Sequence, residues 1–429
     1  MAYLLSANLL VSLIGLLTVA ITARALGPLG LGILALAEAY VRLVDQLVRL
    51  EPWQAVIRYG AIKLEQGKDL EFRRLVKLST MFDLCGAALA ALVAIAFCRL
   101  TASWLGYSED QAKLTAFYAI SLFFAVSSTP TGLMRVFDRF DILAKMSVAL
   151  ALIRLGLSVL AWQLSGDAWT FITILFVYTL AEQLIPLALA WRELRRRGHV
   201  GIWTTPLAGV LSENPNILRF IVNANINALA RLSTQRLDTL IVGAVLGNSA
   251  AGFYHLARRI GLAAVKFGRP LQQAIFPDIA KIWAQGDRPR FRRLVFRANG
   301  LLTLASLLGA AAAYPLVDWI VAYGFGAAFL PSVPLIKMQF LAVVLFLASN
   351  TLGPALMTIG ADRAMVWISL VATIAFFATI FPFMACFGAA GAILSQALFS
   401  LIVLAGTWSF LLWLTRPPAG PASPASRDK

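Results

Sequence analysis

Four charged residues interrupt an apolar run early in the chain: Glu38, Arg42, Asp45 and Arg49. Their spacings of four, three and four put them within about 60° of one another on a helix, as one stripe on one face. Carboxylates and guanidiniums so placed can pair along the helix as Glu38–Arg42 and Asp45–Arg49, or can line water and hold ions. A charge at mid-bilayer costs roughly 2.5–3.5 kcal/mol on insertion scales, so a stripe of four does not face lipid. Two readings stand side by side: a self-neutralised lock between helices, and the polar wall of a water-filled cavity.

A second charged segment adds His255, Arg258 and Arg259 on one face, with no acid in the same apolar run. A third contributes Asn227, Arg231, Thr234 and Asp238 at helical spacing. Arg154, Glu182 and Lys337 are single charges in apolar surroundings, and Arg24 sits at the end of the first run. Guanidinium forks bind phosphate oxygens bidentately, so Arg42, Arg231, Arg258 and Arg259 are expected to form a cationic cavity. Arg24 and Arg49 are flanking candidates whose long side chains also suit snorkelling to headgroups. Glu38, Asp45, Asp238, His255 and Asn227 supply polar wall, and the three acids are candidates for a coupling proton or Na⁺. With His199 the only other histidine and Cys85, Cys98 and Cys386 in apolar runs without motif spacing, no metal site or cofactor is expected.

The elements that must position these charges follow from composition. Of 429 residues, 60% are hydrophobic and 14% charged, with mean hydropathy +0.78. That balance suits an all-α polytopic membrane protein. About twelve spans are expected, near 2–23, 30–50, 78–98, 114–134, 142–163, 169–190, 222–244, 250–272, 297–320, 333–357, 364–384 and 389–414. Met1 leads directly into the first, which reads as a retained helix rather than a signal peptide. The net charge of +16 is not spread evenly. Lys and Arg gather in alternate connections, among them Arg58–Lys77, Arg192–Arg219 and Lys266–Arg297. This positive-inside pattern argues against nucleic acid and expects both termini in the cytoplasm of a bacterial inner membrane.

The chain also repeats itself. QGKDLEFRRLV at Gln66–Val76 returns as QGDRPRFRRLV at Gln285–Val295, and GPLGLGILALAEAY at Gly27–Tyr40 aligns with GNSAAGFYHLARRI at Gly247–Ile260. Two matches at nearly one offset imply duplication of a six-span unit, hence parallel repeats about an axis along the membrane normal. The expected organisation is a six-helix lobe over 1–191, a basic cytoplasmic linker over 192–215, a second six-helix lobe over 216–414 and a disordered tail over 415–429. The FRRLV copies are expected at the cytoplasmic entries of spans three and nine. There Phe72 and Phe291 would sit at the interface while the arginine pairs contact lipid phosphates. The interior charges are not repeated: Glu38, Arg42 and Asp45 align with Arg258, Leu262 and Val265.

Twelve spans in two lobes, RALGPLGLGILALAEAY and DTLIVGAVLGNSAAGFYHLARRI across two hairpins, and LQQAIFPDIAKIWAQGD after span eight resemble the oligosaccharide flippases. These belong to the multidrug/oligosaccharidyl-lipid/polysaccharide exporter superfamily. The resemblance covers nearly the whole chain and implies alternating access with central arginines. It also implies a polyprenyl-pyrophosphate-linked oligosaccharide as substrate, carried across the inner membrane for O-antigen, capsule or exopolysaccharide assembly. Polysaccharide polymerase and glycosyltransferases are implied as candidate partners beside anionic lipids, with the monomer as working unit. Drug/cation exporters of the superfamily are the alternative, although a cationic substrate would call for net acidic groups. Enzymatic readings lack a phosphate loop, metal cluster or nucleophile elbow, so no enzyme activity is expected.

Overall fold

The computed structural model describes residues 2–102 and 106–414, with side chains described outside 2–6, 99, 101, 226–236, 267–277, 280, 351, 354, 357 and 362. No strand occurs among the described residues. The helices run α1 (Ala2–Val48), α2 (Trp53–Glu65), α3 (Asp69–Thr101), α4 (Glu109–Ala119), α5 (Ser128–Val136), α6 (Phe140–Gln163), α7 (Ala168–Arg196) and α8 (Val210–Glu213). They continue as α9 (Ile217–Leu246), α10 (Asn248–Ala284), α11 (Arg288–Ala313), α12 (Val317–Ile320), α13 (Val333–Thr358), α14 (Asp362–Phe387) and α15 (Ala389–Leu414). Eight helical stretches among the described residues are long and apolar enough to cross a membrane, or nine if the bent pair at 109–136 is one span. The chain is therefore a multi-pass α-helical protein, with fewer qualifying helices than the twelve spans expected.

One of the eight, Ala7–Val48, is 42 residues long. At 1.5 Å per residue it is about twice the length a bilayer core requires. It breaks at Gly27 (φ 66°, ψ −175°), immediately before Pro28. Gly247, between α9 and α10, takes nearly the same conformation (φ 83°, ψ 176°). These are the two glycines that open the match of Gly27–Tyr40 with Gly247–Ile260, and the backbone there requires a residue without a Cβ.

The chain divides into two compact units, one of 1–266 with 317–336 and the other of 267–316 with 337–429. In the first, α1 packs on α3, α4, α6, α7 and α9 around Leu36, Ala37, Tyr40, Val41 and the small residues Ala87, Ala90, Ala91 and Ala94 of α3. A Cβ added to Gly32 would lie 1.8 Å from the Asn248 carbonyl oxygen, and one added to Gly252 would lie 2.2 Å from that of Pro28. The two glycines share one offset in the repeat, and each meets the residue four positions before the other. This crossing lets the backbones of α1 and α10 touch. In the second unit, α14 and α15 pair closely, with Gly391 against the Phe383 backbone. A core of Ile279, Phe291, Val295, Leu352, Ala355 and Leu411 ties the start of α11 to α10, α13 and α15.

The repeated basic segments do not place their aromatic rings at an interface. Phe72 and Phe291 are both fully buried. Phe72 lies against His199 and Phe137, with ring centroids 4.9 and 6.2 Å away. FRRLV starts a helix in each copy, and its Phe and Val fall on the inward face, four residues apart.

Candidate functional site

The close crossing at Gly32 and Gly252 brings the next two turns of α1 and α10 side by side, and those turns carry the charge. Glu38 is buried and held by two arginines. Its Oε1 is 2.9 Å from Arg42 Nε on the same helix. Across the crossing, Arg259 Nη2 donates to Oε1 and Oε2 at 3.2 and 3.1 Å. Arg259 Nε also donates to His255 Nε2 at 3.3 Å, which requires that ring nitrogen to offer its lone pair. Glu38, His255 and Arg259 line one cavity with Arg154, Thr22 and Ser158.

Arg154, from α6, has no carboxylate partner among the described residues; its guanidinium lies 4.8 Å from the centre of the Tyr178 ring. The Tyr178 hydroxyl donates to Glu182 Oε1 at 2.6 Å. Nearby on α4 and α7, Tyr118 and Thr179 share a hydrogen bond of 3.0 Å. Two arginines on one carboxylate, with a third arginine facing the same space, leave this cavity net positive. Such a site suits an anion bearing several oxygens.

The other candidates divide sharply. Arg258 is buried and directed away from this cavity: its Nη2 lies 3.0 Å from Asp238 Oδ2, with side-chain exposures of 7% and 1%. Tyr254 donates to the same Asp238 oxygen at 2.8 Å, and the Thr239 backbone N–H donates to Oδ1 at 2.7 Å. Asp238 and Arg258 thus form a closed lock between α9 and α10. Arg49 is also buried. It donates to Asp45 at 2.8 and 3.1 Å, to Glu51 at 3.2 Å and to the Ala125 carbonyl at 2.9 Å. That carbonyl lies where the helical path between α4 and α5 breaks, with Ala125 at φ −76°, ψ 63°. Arg49 and Asp45 therefore brace an interrupted helix. Arg24 is exposed and donates to the Tyr323 and Gly324 carbonyls, remote from Glu38. Arg231 and Asn227 belong to α9, but their side chains lie outside the described residues.

Two residues of consequence did not stand out in the sequence. Arg154 looked like a single charge, and only the packing of α6 against α1 brings it to Glu38. Asp83 is buried on α3 and accepts the Thr129 backbone N–H at 2.7 Å, which caps α5 just after the break.

With the geometry established, comparison with known proteins gives three results. The model of a family described as polysaccharide biosynthesis protein matches residues 1–283. Over 288 residues the chain is 27% identical to Inner membrane protein YghQ of Escherichia coli (strain K12), covering 67% of this chain and 81% of that relative. Among solved structures, an inward-facing multidrug resistance MATE family transporter of the MOP superfamily aligns with a TM-score of 0.72 at 13% identity, covering 96% of this chain and 94% of the other. The lipid II flippase MurJ in an inward closed conformation aligns with a TM-score of 0.70 at 12% identity, covering 96% and 87%. At such identities the likeness is one of fold.

Proposed function

Because the chain belongs to the polysaccharide biosynthesis protein family, we propose that it is an inner-membrane flippase for polyprenyl-pyrophosphate-linked oligosaccharides, working by alternating access. Its twelve spans form two six-helix lobes, 1–191 and 216–414, joined by the linker 192–215, with both termini in the cytoplasm. The observation that carries this reading is the charge of the cavity beside Glu38. A pyrophosphate diester carries about two negative charges, and moving it through hydrocarbon unaided is prohibitive. A pocket lined by Arg154, Arg259 and Glu38, with Arg42 paired to the same carboxylate, lowers that barrier while the prenyl chain stays in lipid. No covalent step is involved, and the glycan requires only room and water.

The fold is also that of drug exporters, and a drug/cation exporter is the second reading. The net positive cavity disfavours a cationic substrate. The reciprocal crossing at Gly32 and Gly252 supports a twofold relation between the repeats, because each copy presents the same surface to the other. The shared fold and the likeness to Inner membrane protein YghQ support the inner membrane as location.

The test is export of surface polysaccharide in cells that depend on this chain, carrying Arg154→Ala with Arg259→Ala. That pair leaves Glu38 still matched to Arg42, so the fold should survive. Export is expected to be lost at unchanged membrane abundance. Normal surface polysaccharide would remove the cavity from the mechanism, and protection against cationic dyes by the unmodified protein would favour the exporter reading.

A further inference from the structure

The two FRRLV copies have the same letters and opposite surroundings. In the first copy the charges are answered within the chain. Arg73 pairs with Asp69 and donates to the Val200 carbonyl at 2.8 Å. Arg74 pairs with Glu213, and Lys63 Nζ is 2.6 Å from Glu71. Lys77 donates to the Trp203 and Thr205 carbonyls at 2.7 and 2.8 Å. The side chains of Arg73 and Arg74 are accordingly only 28% and 17% exposed. This copy is a clamp that holds the linker down.

In the second copy Asp69 and Glu71 are replaced by Arg288 and Arg290. Arg288, Arg290, Arg292, Arg293 and Arg297 are all exposed. None has a carboxylate in ion-pair range among the described residues. Asp287 is occupied in capping α11, where it accepts the Arg290 N–H at 2.9 Å. Where Asp69 and Arg73 attract across one turn, Arg288 and Arg292 repel, as do Arg293 and Arg297. The cluster also sits at the positive end of the helix dipole, where acids are favoured and arginines are not. Three unfavourable features coincide on an otherwise well-packed helix, whose inward face buries Phe291 and Val295. An external anion relieves all three. The chain's own tail is a poor candidate, since Arg416, Arg427 and Lys429 outnumber Asp428.

We propose that Arg288, Arg290, Arg292 and Arg293 form a docking surface for anionic phospholipid headgroups of the cytoplasmic leaflet, a role the first copy has given up to the linker. The placement rests on the cytoplasmic orientation of the basic connections given above, and the role is separate from substrate binding. A surface charge needed only to orient the chain during insertion would leave no lasting lipid contact, which separates the two roles experimentally.

Full-length protein purified in mild detergent is loaded with phosphatidylglycerol, and retained lipid is counted by native mass spectrometry. Affinity should fall about fivefold for each arginine replaced by glutamine at 288, 290, 292 and 293. The corresponding lysine variants should keep most of it, and high salt should weaken it. Arg73→Gln with Arg74→Gln should leave phosphatidylglycerol retention unchanged, and phosphatidylcholine should not be retained by either copy. Equal retention in the 288–293 glutamine variant, or equal loss from both copies, overturns the proposal. Displacement of the lipid by millimolar inorganic pyrophosphate would also overturn it, by making the cluster a site for the substrate headgroup. Transport by the glutamine variant reports separately on the cavity.

Discussion

Replacing Glu38 with glutamine should loosen the protein slightly and tighten its grip on anions, while replacing Asp238 with asparagine should only damage it. Both carboxylates are buried and bound to arginine, but their partners differ in exposure. Asp238 and Arg258 are 1% and 7% exposed and share further hydrogen bonds with Tyr254 and Thr239. Removing the charge takes the ion-pair partner from a buried guanidinium, at a cost of about 3–5 kcal/mol. Glu38 is 11% exposed, but Arg42 and Arg259 are 41% and 35% exposed. They can rehydrate when their partner is lost, so the cost falls to about 1–2 kcal/mol. At roughly 2 °C per kcal/mol for a large domain, Asp238→Asn should lower the melting temperature by about 6–10 °C and Glu38→Gln by about 2–4 °C.

The binding result should run the other way. Glu38 competes with any anion for Arg42 and Arg259, so its loss frees two guanidiniums. Farnesyl pyrophosphate, followed by tryptophan fluorescence on purified protein, should bind about five- to tenfold more tightly to Glu38→Gln, a gain of about 1–1.4 kcal/mol. Asp238→Asn should not gain. Two outcomes would refute the reasoning: a Glu38→Gln protein as unstable as Asp238→Asn, or one that binds the pyrophosphate less well than the unmodified chain. The first would make Glu38 a lock of the same kind as Asp238. The second would make Glu38 itself a ligand.

Two further expectations concern the frame around the site. Gly32→Ala and Gly252→Ala should each destabilise by more than about 3 kcal/mol, because the new Cβ meets a backbone carbonyl rather than a flexible side chain. Gly15→Ala, which meets nothing within 4 Å, should melt at or above the unmodified temperature; similar behaviour of all three would remove the crossing as a constraint. Arg73→Gln with Arg74→Gln should speed tryptic cleavage near Arg195–Arg197 about tenfold with little change in global melting. Unchanged cleavage would mean that the linker is held by its buried Ile202 and Val210 rather than by the clamp.

What the sequence made legible was spacing along single helices. The stripe from Glu38 to Arg49 does lie on one face, and both of its i,i+4 pairs exist. The helical class and the concentration of charge at helix ends were equally readable from composition. Hidden from the sequence were partners set by crossings between helices. Arg49 reaches the Ala125 carbonyl only because the path between α4 and α5 breaks there. No glycine marks that break, and the nearest proline is Pro130, already inside α5.

Arg258 and Arg259 show the limit most clearly. They are neighbours in sequence, and a count of charges treats them alike. One step along a helix turns a side chain by about 100°, which sends Arg258 to Asp238 and Arg259 to Glu38. The choice between them is made by the glycine crossing, which fixes how α10 is rotated against α1. The repeat carried that information in disguise, in two glycines at one offset whose Cβ-less surfaces meet reciprocally. The glycines were kept in both copies, and the charges one to two turns further on were not. The matched segments thus share their glycines but not their charges: the Glu38 carboxylate of α1 faces arginines from both α1 and α10. An anion entering this cavity must displace that carboxylate from its arginines, whichever copy they belong to, and so weakens the cross-helix contact that Glu38 makes between α1 and α10.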